Sequence, residues 1–270
     1  MFALIKTLNP TIWIMEKQQV PVILSGGGAR GFAHVGILQA LEERQIQPSA
    51  ISATSAGAMI GALIADGYTA AEVKEMVLKN IKLVDLLDFR RINGYLISLH
   101  KIGQFLKSQL RASTFEQLKL PFYVSAVNYH TGEPKIFQEG PIVEAVLAAS
   151  SIPTLFEPTL IEGIPYVDGA VHSNVPSGPF EAQIEQVVAC HVNPTGPYNP
   201  KSSVFHSIDR AIHLSFLERN RQVQGRCRWF IEPYALHPYG MFEVHKLPEI
   251  YAAGYHGAVE FLDQMAPSNT

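Results

Sequence analysis

The stretch Val20-Pro21-Val22-Ile23-Leu24-Ser25-Gly26-Gly27-Gly28-Ala29-Arg30-Gly31 decides the fold. Its first five residues form a continuous apolar, β-branched run, the pattern of a strand buried on both faces of a sheet. The glycines make a tight turn, after which Val35, Leu38 and Leu41 fall on one helical stripe that ends in the polar Glu42-Glu43-Arg44. Strand, glycine turn and helix make the opening unit of an α/β sheet. Working outward, Ala50-Ile51-Ser52-Ala53-Thr54 reads as a second strand. Residues 56–65 read as a helix so rich in small and apolar side chains that it must be buried. Thr69-Ala70-Ala71-Glu72 has the form of a capping box opening a helix towards Asn80. Residues 102–110 are amphipathic, whereas 83–99 are less periodic. Strands are predicted at 122–127 and 134–137, with Tyr129-His130-Thr131-Gly132 as the turn between them, and at 187–192 and 229–231. Helices are predicted at 141–149, 207–224 and 248–265. Alternating strands and helices predict a mostly parallel α/β sheet.

Composition narrows the class. A chain of 270 residues with 47% apolar and 17% charged side chains builds one globular domain with a sizeable core. A formal charge of −3 argues against nucleic acid as a partner. The two cysteines, Cys190 and Cys227, are too few for a disulfide framework. The ten histidines include no H-E-x-x-H, so no metal and no cofactor is expected. Residues 1–19 read as an N-terminal extension and 20–266 as one domain. In the extension, Lys6 and Asn9-Pro10 interrupt the apolar runs well short of the roughly 18 residues that would span a bilayer, so no transmembrane segment is expected. These features suggest a cytoplasmic enzyme, either free or peripheral to a membrane.

The chemistry-bearing residues lie in three places. Gly26-Gly27-Gly28-Ala29-Arg30-Gly31 satisfies G-x-G-x-x-G, but the second strand lacks the acidic residue that a dinucleotide fingerprint places there to hold the ribose. What survives is a turn whose backbone N–H groups favour negative charge, a phosphate or a developing oxyanion. Ser55, flanked by Ala53, Thr54, Ala56 and Gly57 between strand and helix, has the setting of a nucleophile elbow, with Ala53 in place of the usual first glycine. A plain serine cap is the ordinary alternative. A nucleophilic serine needs a base, and Asp168 ends the short run Tyr166-Val167 ahead of Gly169 and Ala170.

Taken in order, the glycine turn, the Ser55 elbow, Ala149-Ser150-Ser151-Ile152-Pro153 with Phe156-Glu157-Pro158, and Asp168-Gly169-Ala170 with Asn174 and Pro176 resemble the patatin-like phospholipase family over about residues 21–179. The resemblance implies a three-layer α/β/α fold and a lipid ester as substrate. It also implies Ser55 as nucleophile, Asp168 as its base, and an oxyanion hole built from the backbone of Gly26, Gly27, Gly28, Ala29, Arg30 and Gly31. Two rivals stand beside it. A Ser-Asp-His triad hydrolase would draw on His237, His245 or His256, with His172 also near Asp168 in sequence. A non-catalytic module would bind phosphate at the glycine turn. His34 reads as a packing or supporting residue, and Arg219, Arg221, Arg226 and Arg228 as a basic cluster at a solvated helix end, with a contact to lipid phosphate as the alternative. The apolar side chains of 83–106 could line an acyl pocket, cover it, or be plain core.

Overall fold

The computed structural model describes residues 17–80, 98–197 and 204–265; the expectations for 1–16 and most of 83–99 lie outside the described residues. Strand β1 (Gln18–Leu24) sits in the middle of the sheet, parallel to β2 (Ile46–Ala53) on one side and to β7 (Val188–Cys190) on the other. Beyond β7 comes β8 (Trp229–Ile231), also parallel, and beyond β2 comes β3 (Phe122–Asn128). From β3 outward the sheet changes character. Strands β4 (Pro134–Phe137) and β6 (Ile164–Asp168) pair antiparallel with β3, and β5 (Thr159–Ile161) pairs antiparallel with β6. The result is a mixed sheet with a parallel main body.

The apolar run of β1 is explained by what covers each face. Val20, Val22 and Leu24 join the large core cluster, whereas Ile23 joins Val175, Phe180, Ile184 and Val223 on the opposite face. Burying a side chain of this size is worth about 1.5–3 kcal/mol, so alternate residues hold the sheet to both layers. The thicker layer holds α1 (Ala33–Glu43), α2 (Ser55–Ala65), α3 (Ala70–Lys79), α4 (His100–Gln109), α5 (Ile142–Ala148) and α8 (Leu247–Met265). Residues of α7 (Leu217–Gln224) and of the irregular 3-10 segment Gly178–Gln186 form the other. The three-layer α/β/α arrangement is present. The capping box at Thr69 and Glu72 forms as expected.

Several elements differ from expectation. The helix expected over 207–224 is two, α6 (Val204–Ser215) and α7, because Phe216 leaves helical geometry to bury its ring edge-on against His213. Strand β2 begins earlier than expected, with a register shift that pairs Val20 with Pro48 and Pro21 with Ala50 and so passes over Ser49. Strands β5 and β6 form a hairpin that three- and five-residue runs do not announce. Its two-residue turn, Glu162 and Gly163, has φ +52° and +79°, the double positive pair that matches strand twist. The four arginines do not form one cluster. Arg219 bonds the His172 carbonyl, Arg226 pairs with Glu181, and Arg228 reaches Gln18 and lies over Trp229. Among the described residues no helix is long and apolar enough to cross a membrane.

Candidate active site

The register of β3 brings the two candidate groups together. Val124 is bracketed by Ala53 and Phe137, and Ala126 by Lys135 and Asp168. A residue in a strand has one neighbour on each edge, so β2 and β6 share an edge of β3. One runs parallel to β3 and the other antiparallel, so their C-terminal ends point at each other. Thr54 and Gly169 both close on the carbonyl of Ser125, the residue left between them.

At the end of β2, Thr54 is extended and Ser55 turns abruptly, with φ +52°, into α2. A side chain in that left-handed region carries a backbone cost of about 1–3 kcal/mol, which the surroundings must hold in place. The Ser55 N–H is held by the Ala149 carbonyl at 2.9 Å, and Gly57 lies tight against β1. The neighbouring serines have committed hydroxyls. Ser52 donates to Pro176, Ser150 to Val146 and Ser151 to Leu147, all to backbone carbonyls.

Asp168 is 2% exposed. One carboxylate oxygen accepts from the Ala170 N–H at 2.9 Å and from the Thr54 hydroxyl at 3.3 Å. Burial pushes its pKa up to about 6, against the opposing pull of the Ser55 hydroxyl, the Ala170 N–H and Thr54. It is therefore ionised at neutral pH yet has a raised proton affinity, which suits a general base. Among the described residues no histidine hydrogen-bonds Ser55 or Asp168. His34 meets the Ser25 carbonyl, His191 meets Glu232, Asn174 and Asn220, His213 meets Arg30, and His237 meets the Tyr234 carbonyl.

The glycine turn lies against Ser55: a Cβ on Gly26 would fall 2.9 Å from the serine Cβ. Not all six residues of the turn offer a free donor. The Ala29 N–H is taken by the Met241 carbonyl at 2.8 Å and that of Arg30 by the Gly27 carbonyl at 3.1 Å. The N–H groups of Gly26, Gly27 and Gly28 have no acceptor among the described residues. The Arg30 side chain, 4% exposed, turns away to the Tyr239 carbonyl and His213. Gly31 packs on Ala56, which joins the turn to the elbow.

Ser55 opens on a cavity of about 160 Å³ whose other walls are almost wholly apolar, among them Phe32, Met59, Leu63, Ile102, Leu106 and Phe156. The described part of the 83–106 segment thus does line a pocket. Met241, Phe242 and Val244 complete the wall; nothing in their local sequence marked them, since they reach the site only through the fold.

On this α/β/α sheet a serine on a left-handed turn thus stands beside a buried aspartate and a glycine-rich turn. The family model for patatin-like phospholipases matches residues 22–180, and the chain belongs to that family. It is 29% identical over 185 residues to an NTE family protein of Mycobacterium tuberculosis, covering 66% of this chain and 51% of the relative. It is 27% identical over 283 aligned positions to lysophospholipase nte1 of Aspergillus fumigatus, covering 91% of this chain and 18% of that protein. The chain thus spans about half the length of the mycobacterial relatives and less than a fifth of the fungal one. Among solved structures, VipD from Legionella pneumophila shares the fold, with a TM-score of 0.62 at 15% identity over 93% of this chain and 67% of that one.

Proposed function

We propose that residues 20–266 form a single serine acyl hydrolase domain acting on lipid esters through a Ser55–Asp168 dyad. The observation that carries this reading is the placement of Ser55 beside a buried carboxylate at the mouth of an apolar cavity. Membership of the patatin-like family and the lysophospholipase name of a relative support it. The Ser55 oxygen attacks the ester carbonyl as its proton passes to Asp168. The carbonyl electron pair moves onto oxygen, which the free N–H groups of the glycine turn receive; one such donor is typically worth about 10²–10³ in rate. Collapse of the intermediate expels the alcohol, which takes the proton back from Asp168 and leaves an acyl-serine. Water then attacks, giving its proton to Asp168, and the fatty acid leaves as Ser55 is restored. The apolar cavity holds the acyl chain.

A fluorophosphonate should label Ser55 alone, because Ser52, Ser150 and Ser151 already donate to carbonyls. Peptide mapping by mass spectrometry checks this, and labelling at any of those three would sink the assignment. The pH profile is a second check. Turnover of p-nitrophenyl butyrate needs ionised Asp168, so it should rise about tenfold per pH unit below the pKa of about 6 and level off above it. A rate unchanged across that window would remove Asp168 as the base.

A further inference from the structure

The triple-glycine turn raises a question that its N–H groups alone do not answer. Glycine peptides rotate easily, and a flipped plane would present a carbonyl oxygen, which repels an oxyanion. A trans peptide is planar, with its C=O and N–H pointing in opposite directions, so anything that pins the carbonyl also aims the next N–H. Each consecutive carbonyl here is pinned. The Ser25 carbonyl accepts from His34 Nε2 at 2.8 Å. The Gly26 carbonyl accepts from Asn193 Nδ2 at 2.6 Å and from the Ser25 hydroxyl at 3.0 Å. The Gly27 carbonyl accepts from the Arg30 N–H at 3.1 Å.

We propose that Asn193 is a positioning residue for the oxyanion hole, holding the Gly26–Gly27 peptide so that the Gly27 N–H is aimed at the oxygen that forms on Ser55. The inference rests on the acyl hydrolase reading. Asn193 lies just past β7, 3% exposed, and its Oδ1 has no partner among the described residues. Its amide therefore has one hydrogen-bonding task, the Gly26 carbonyl. A Cβ on Gly27 would fall 3.2 Å from that same Oδ1, so the side chain packs on the peptide it holds. His34 does the same for the preceding plane. Burial pushes its pKa down to about 4, so it stays neutral above that pH and donates from Nε2.

Asn193→Leu keeps the size and removes the donor. With full-length protein, two affinities are measured. An alkyl trifluoromethyl ketone adds the Ser55 oxygen to its carbonyl carbon and becomes a tetrahedral oxyanion, the serine proton passing to Asp168. The alkyl methyl ether of equal length fills the cavity without forming one. The variant should bind the ketone about 10- to 100-fold more weakly and the ether as tightly as wild type, with kcat falling and KM holding. If Asn193→Leu does not fold, Asn193→Ala lacks the same donor in a smaller side chain and is read the same way. Equal ketone affinity in variant and wild type, or a parallel loss of ketone and ether, overturns the proposal. Failure of wild type itself to form the Ser55 adduct overturns the acyl hydrolase reading, and this inference with it, and is told apart by appearing without any substitution.

Discussion

Asp168→Asn should abolish ester hydrolysis, with a loss of about 10⁴-fold in kcat, while the chain stays folded. Asparagine keeps an oxygen to accept from the Ala170 N–H and Thr54, so the end of β6 remains in place. Its other atom is an NH₂, which donates where the base must accept, and Ser55 keeps its proton. Stability should move the opposite way. Folding raises the Asp168 pKa from 3.8 to about 6, so between those values the native chain binds more protons than the unfolded one. Stability therefore falls as pH rises through that window, and above it the buried charge costs up to about 3 kcal/mol. Asparagine carries no charge, so thermal melts above about pH 7 should show the variant as stable as wild type or more so. His172→Ala, His237→Ala, His245→Ala and His256→Ala should each retain turnover. A folded histidine variant as inactive as Ser55→Ala would replace the dyad by a triad.

Gly57→Ala should have the next largest effect, on stability and activity together. A methyl group there would stand 2.5 Å from both the Leu24 and the Ser25 carbonyl oxygens, and backbone atoms of a central strand cannot step aside. The first turn of α2 must instead lift from β1. Overpacking of this kind costs about 1–3 kcal/mol. It also displaces Ser55, two residues earlier, for which an ångström of misplacement costs about 10²-fold. Gly61→Ala, four residues on, is the control: its methyl meets side-chain atoms of Phe122 and Ile51. It should lower the melting temperature without lowering the rate per folded molecule. A Gly57→Ala protein as active and stable as wild type would show that the elbow tolerates a looser fit.

Some of this was legible because the physics is local. The two-sided burial of β1, the capping box at Thr69 and the turn after Leu24 depend on residues adjacent in sequence, so their patterns survive without the fold. The sharp turn at Ser55 was legible for the same reason, and the place of Asp168 chiefly through the ordered motifs on either side of it, from Ala149 to Pro158 and from Gly169 to Pro176. The rest was not, because it depends on register and on distant packing. No local pattern says that β6 returns along the edge of β3 that β2 has just vacated. Phe216 reads as one more helical residue until its ring is seen to be buried. Asn193 looks like a loop asparagine ahead of a proline, and its role appears only when the Gly26 carbonyl is found in front of it. The engagement of the Ala29 N–H by Met241 narrows the six-residue oxyanion expectation in a way that no motif encodes.

The end-to-end meeting of β2 and β6 has a consequence for how the protein comes into being. Strands β1 and β2 are close in the chain and can pair early, but Asp168 lies 113 residues beyond Ser55 and reaches it only after β3 has paired with β2 and β6 with β3, a slow kind of sequence. On the proposed dyad reading, the serine has no base until the antiparallel flank docks. On that reading a partly assembled chain does not hydrolyse lipid, and hydrolysis switches on only once β6 has docked on β3. Recovery of esterase activity during refolding should lag behind the recovery of helical signal, and the lag measures the docking of that flank.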